Sequence, residues 1–162
     1  MGAGKILIIL GALLTILGTY VFGIFLFITA VGSGLGFALN LIDIFALDPT
    51  LLGIDAIIFY VMLVIFIIWL ASGVLQLIGL KSRIVGIIFS LFPIGIGILF
   101  ILVFFTTILG PISGLFTLFT IGEHFGDFFP IFVEIGSGMG LAPLFLVGGG
   151  TLGLIGSILP RD

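Results

Sequence analysis

Four stretches of this chain carry no charged residue over the length that a helix needs to cross a bilayer. They run from about Ile6–Ala30, Ala56–Leu80, Ile84–Leu109 and Leu141–Leu159. A spanning helix takes about 20 predominantly apolar residues. Inside hydrocarbon, each segment must satisfy its own backbone N–H and C=O groups, which favours helices. Charged residues are 7% of the 162, against about 25% in a soluble domain. That is too little charge to cover a water-facing surface. The expected fold is an all-α integral membrane protein. It is a single membrane domain over 1–162, a four-transmembrane-helix bundle with two apolar outer segments, 31–55 and 110–140, that contain short interfacial helices. The turn 81–83 closes a tight hairpin between the second and third runs.

The first run is too long for the apolar region of a signal peptide. Ile6 stands where a myristoylation signal after Gly2 would need Ser or Thr. The "GAGK" at 2–5 lacks the upstream glycine and following hydroxyl of a phosphate-binding loop. There is no cysteine, which removes disulfides, thiolate metal sites and thiol nucleophiles. The single asparagine, Asn40, is followed by Leu41 and Ile42 and forms no glycosylation sequon.

With four spans, Lys5, Lys81, Arg83 and Arg161 all fall on one side of the membrane. Basic residues mark the cytoplasmic face, so both ends are expected inside a multi-pass cell-membrane protein. Asp43, Asp48, Asp55, Glu123, Asp127 and Glu134 fall on the other side, making an outer acidic face. The spans were drawn from hydropathy alone, so this sorting tests them independently. Two pairs of spans, two outer segments and two inner ends resemble the plan of tetraspan proteins such as claudins, tetraspanins and connexins. The likeness is one of plan. The outer cysteines and the Trp-Leu-Trp motif of those proteins are missing here, and no residue role carries over.

Helices in lipid associate through small residues that let backbones approach. Gly11, Thr15, Thr19 and Gly23 recur four apart in the first run, and Gly149, Gly153 and Ser157 in the fourth. Both are expected packing stripes, within one chain or between chains. Gln76 is the most polar side chain in any span and should bond a neighbouring helix. Pro93 should kink the third span.

The outer segments are not loose coil. Gly36, Asn40, Asp43 and Leu47 lie along one face of a potential short helix. Asp48 followed by Pro49 reads as a helix N-cap with proline at the first position. Phe116, Phe119, Phe125, Phe128, Phe129 and Phe132 crowd the second segment and are expected to form an outer interaction surface. Glu123, His124 and Asp127 carry ligand chemistry for a metal, though their spacing matches no established signature and a solvated acidic loop accounts for them as well. "VGSGLGFAL" at 31–39 and "IGSGMGLAP" at 135–143 repeat one phrase. Neither has a basic neighbour for phosphate. Both suit helix–loop junctions at the outer surface.

No cofactor is expected. Four basic residues leave no surface for nucleic acid. With no charge inside any span, ion-coupled transport is disfavoured, and one histidine without cysteine leaves little equipment for an enzyme. Two functions remain. One is a non-catalytic tetraspan protein that packs laterally, as a self-assembling structural protein or a small subunit of a membrane complex. Its partners would be membrane lipid, copies of itself or other membrane subunits. The alternative is an oligomeric channel whose acidic outer mouth favours cations.

Overall fold

The computed structural model describes residues 2–114, 116 and 130–160. The protein is mostly helical. Helix α1 spans Ala3–Ile16 and runs on through a π turn, Leu17–Val21, where the Phe22 amide donates to Leu17 O. Helix α2 covers Gly34–Leu39 and α3 Leu41–Ala46. Helix α4 covers Ala56–Gln76 and tightens into a 3-10 turn at Leu77–Leu80, and α5 covers Arg83–Phe105. The last helix, α6, covers Ala142–Ile158. Three of these are long and apolar enough to cross a membrane: α1 with its π turn, α4 with its 3-10 turn, and α5. The fourth apolar helix, α6, has 17 residues and is shorter.

The first apolar run does not stay helical to Ala30. Phe22 is already extended. Beyond it the chain forms β1 (Phe25–Phe27) and β2 (Ala30–Gly32), and the approach to α6 forms β3 (Glu134–Gly136) and β4 (Met139–Gly140). The four make one antiparallel sheet in the order β2-β1-β4-β3, with Phe25 opposite both Gly32 and Met139. Aromatic and β-branched residues fit a pleated surface. In an unbroken apolar run they leave no alternation to betray a strand three residues long.

The two copies of the glycine phrase therefore do different work. In the first, Gly32 ends β2 and the Ser33 hydroxyl N-caps α2, accepting from the Gly36 amide at 3.0 Å. In the second, Ser137 and Gly138 are the hairpin turn, with φ of 54° and 78°. Positive φ at both central residues is the turn that matches strand twist, and glycine takes it without strain.

The N-terminal end of α4 also differs from the expected cap. Asp48 caps a separate 3-10 turn, Pro49–Leu52, accepting from the Thr50 amide at 2.9 Å and the Thr50 hydroxyl at 2.7 Å. Asp55 caps α4, accepting from the Ile57 amide at 2.8 Å. Pro93 lies buried inside α5 without ending it.

Two kinds of core fill the bundle. Towards the sheet, the packing is aromatic: Phe25, Phe37, Phe59, Phe66, Trp69 and Phe100 are buried together, with Phe66 edge-on to Trp69 at 5.6 Å and to Phe37 at 5.5 Å. Towards the α4–α5 turn, the helices meet through glycine, serine, threonine and one glutamine.

Candidate functional site

The second zone is the candidate site, and α6 is its centre, packed along both α1 and α5. Gly4, Gly11 and Gly18 of α1 and its π turn recur seven apart, so they share one face. An added Cβ at Gly11 would lie 2.5 Å from Gly153 N and 2.6 Å from Gly149 O. At Gly4 it would lie 2.8 Å from Gly156 O, and at Gly18 3.1 Å from Ala142 O. The partner numbers fall as the α1 numbers rise, so the two helices are antiparallel. Their backbones touch, and the Gly4 amide donates to Pro160 O at 3.3 Å. The other side of α6 meets α5 the same way. A Cβ at Gly150 would lie 2.6 Å from Ser90 O, and one at Gly97 2.7 Å from Pro143 O.

Of the residues expected to form stripes, Gly11, Thr15, Gly149 and Gly153 come together here. Thr19 is buried, with its hydroxyl donating to Thr15 O at 2.7 Å. Gly23 lies past the end of α1, under Val31 and Phe132. Ser157 lies against Gly86 of α5 and Gly79. The heptad Gly4–Gly11–Gly18 escaped the sequence reading, which followed a four-residue spacing. The π turn explains part of this, since its extra residue per turn shifts the face that follows.

Polar groups are gathered beside the seam. Thr15 donates to Gln76 Oε1 at 3.2 Å, and both side chains are fully buried. Gln76 Nε2 has no acceptor among the described residues, and neither has Trp69 Nε1, seven residues earlier on the same face of α4. The remaining hydroxyls are satisfied within their own helices. Ser72 donates to Trp69 O, Ser90 to Gly86 O and Ser157 to Gly153 O, at 2.7–2.8 Å. Tyr20 ties the π turn to α4, donating to Leu70 O at 2.6 Å. In a low-dielectric interior each of these bonds replaces an otherwise costly orphan. Tyr20 is the one titratable side chain among these groups, and each bond runs within a helix or from one helix to the next.

The chain matches no protein-family model, and no curated protein or solved structure is significantly similar to it.

The residues expected on an outer face are more dispersed. Asp43, Asp48, Asp55 and Glu134 are all exposed, and the Glu134 carboxylate accepts from the Gly138 amide at 3.1 Å. Hydrogen bonds from Thr50 hold the Asp48 carboxyl below the usual aspartate range. Among the described residues no three of His, Asp or Glu come close enough to share a metal ion. Glu123, His124 and Asp127 lie outside the described residues, as do Phe119, Phe125, Phe128, Phe129 and Arg161. Phe116 is buried in the aromatic core, stacked on Phe66 with centroids 6.1 Å apart. Phe132 is half-buried over Gly23 and Gly140.

Proposed function

We propose that the protein is a non-catalytic four-span membrane protein, with both ends on the cytoplasmic side, that acts by lateral helix packing. It assembles with itself or serves as a small subunit of a membrane complex. The observation that carries this reading is where polarity goes along α4 and α5. Apart from Tyr60 near the start of α4 and Arg83 at the first residue of α5, the exposed side chains, among them Val61, Val64, Ile88, Leu91 and Ile98, are apolar, while Ser72, Gln76 and Ser90 are turned fully inward. Such a surface suits lipid tails and other apolar helices. A groove of about 410 Å³ between α4 and α5 is lined by Ile65, Leu91, Gly95 and other apolar residues and would take a side chain from a neighbouring helix. The back-bonded hydroxyls, with no base beside them among the described residues, argue against catalysis. For the fourth span, α6 lies antiparallel to α1 from Gly18 down to Gly4. At 1.5 Å per residue its 17 residues rise about 25 Å, close to the thickness that α1 crosses.

Native mass spectrometry from mild detergent tests the assembly. A discrete oligomer is expected, and a monomer at every concentration, in detergent and nanodiscs alike, refutes self-assembly. Cation flux through reconstituted vesicles, lowered by Asp43→Asn or Asp55→Asn, would establish the channel reading instead. Single cysteines at Ser82 and Ser137 test the orientation. They should label from opposite sides of intact cells, and labelling of both from outside sinks it.

A further inference from the structure

The fold gathers basic residues from two distant parts of the chain. Gly156 and Ser157, consecutive near the end of α6, touch two different elements. Gly156 meets Gly4 of α1, while Ser157 meets Gly79 and Gly86. Those two glycines pack on each other across the α4–α5 turn, where an added Cβ at Gly79 would lie 2.9 Å from Gly86 Cα. Helix α1 also packs against the 3-10 turn Leu77–Leu80. Lys5 follows Gly4, and Lys81 and Arg83 lie between Gly79 and Gly86. All three cations therefore stand around one end of α6.

The described carboxylates stand at the opposite end. Asp55 caps the first turn of α4, whose last turn leads to Lys81. Asp43 and Asp48 lie in the segment before it, where Ile44 is buried in one cluster with Phe59. Glu134 is two residues from Gly136, where an added Cβ would lie 3.6 Å from the ring of Phe105, at the far end of α5 from Arg83. Lys81 and Arg83 are exposed and Lys5 is half-buried. Among the described residues, none of the three side chains has a hydrogen bond or an ion pair. Positive charge is thus concentrated at one end with no described carboxylate to offset it. What adjoins it is apolar. Ile6 follows Lys5, Ile84 follows Arg83, and Ile78 stands three residues before Lys81. All three isoleucines are exposed, Ile84 by 71%.

Cations set beside exposed isoleucines call for a partner that is anionic at one end and hydrocarbon at the other. We infer that this end of the bundle holds phospholipid of net negative charge in preference to zwitterionic lipid. The headgroup phosphate lies on Lys81 and Arg83, with Lys5 adding charge from α1, and the acyl chains follow the isoleucines. Arg83 offers a planar fork to phosphate oxygens and the lysines a point charge. Basic residues next to membrane helices attract anionic headgroups in this way. A free phosphate would match the charge but leave the isoleucines uncovered.

The inference rests on the membrane reading, and one experiment separates the two. The full chain is reconstituted in vesicles of phosphatidylcholine and phosphatidylglycerol in equal parts and washed with alkaline carbonate. It is then extracted in mild detergent, and the lipid that stays bound is counted by native mass spectrometry. Phosphatidylglycerol should be enriched over the mixture about fivefold or more. Lys81→Gln and Arg83→Gln should each cut that enrichment by up to about fivefold, the effect of one basic residue at an anionic membrane surface. Lys81→Arg and Arg83→Lys should retain it, which separates lost charge from a lost fold. Inorganic phosphate added to the extract should not displace the lipid. If the wash strips the protein from the vesicles, the membrane reading and the inference fall together. If the protein stays but binds the two lipids equally, the inference falls and the membrane reading stands. The same follows if the Gln variants keep the full enrichment, if the charge-conserving variants lose it, or if phosphate displaces the lipid.

Discussion

Replacing Gly11 by alanine adds one methyl group at the tightest point of the α1–α6 seam. That carbon would sit 2.5 Å from Gly153 N and 2.6 Å from Gly149 O, against 3.4–4 Å for ordinary contact. Both obstacles are backbone, so no side chain can swing aside. The helices must part by about 1 Å, and a gap of that size forfeits a quarter to a half of each pairwise attraction along the seam. Overpacking of this kind costs about 1–3 kcal/mol, partly offset by the gain of nearly 1 kcal/mol when alanine replaces glycine in a helix. Gly148 of α6 supplies the matched control, because a Cβ there meets nothing within 4 Å. Gly148→Ala keeps the propensity gain and loses no contact. The propensity gain cancels between the two variants, which should therefore differ by the overpacking cost of about 1–3 kcal/mol, roughly a 5- to 150-fold difference in unfolding equilibrium. Unfolding in mixed micelles can be followed through Trp69, the single tryptophan, buried against Phe66. Equal midpoints for Gly11→Ala and Gly148→Ala would refute the seam as a close-packed interface.

Gln76→Leu should change stability by less than about 1 kcal/mol, because it removes one membrane hydrogen bond and one orphan donor together. Gln76→Glu should cost about 3 kcal/mol or more at neutral pH by leaving a buried charge unpaired, which the same unfolding assay reads. Ser137→Asn should stabilise by about 0.5–1 kcal/mol, since asparagine tolerates the positive φ of that turn better, seen as slower hydrogen exchange across β3 and β4. Asp55→Ala should cost about 1 kcal/mol through loss of the α4 cap and fray Ala56–Tyr60, again visible by exchange. The folded pKa of Asp48 is depressed by Thr50, so what that cap contributes is present above the ordinary aspartate pKa and lost as pH falls through the lowered value. An NMR titration should find Asp48 protonating below Asp48 of a Thr50→Val variant.

The charge pattern and the long uncharged runs determined by themselves that α1, α4 and α5 would be apolar helices long enough to cross a membrane. Hydropathy is a property of the residues and needs no partner. The same holds for the turn at 81–83, but not for the α4 cap: the Asp48–Pro49 pair pointed to Asp48, which caps a separate 3-10 turn, while Asp55 caps the helix. The strands were a different matter. Residues 23–32 and 131–140 are apolar enough for either helix or sheet, and what decided was the pairing of Phe25 with Met139, more than a hundred residues away. The repeated Gly-Ser-Gly shows the point most plainly. One copy caps a helix and the other turns a hairpin, because the first leads into α2 under Trp69 while the second must return a strand to β1. The seam, too, was legible only in part. Small residues at Gly11, Gly149 and Gly153 announced close packing, but which glycines face which depends on the π turn and on the antiparallel fit of α6 between two neighbours. Local sequence states what a residue tolerates, and only the helix lying opposite decides which of those tolerances is used.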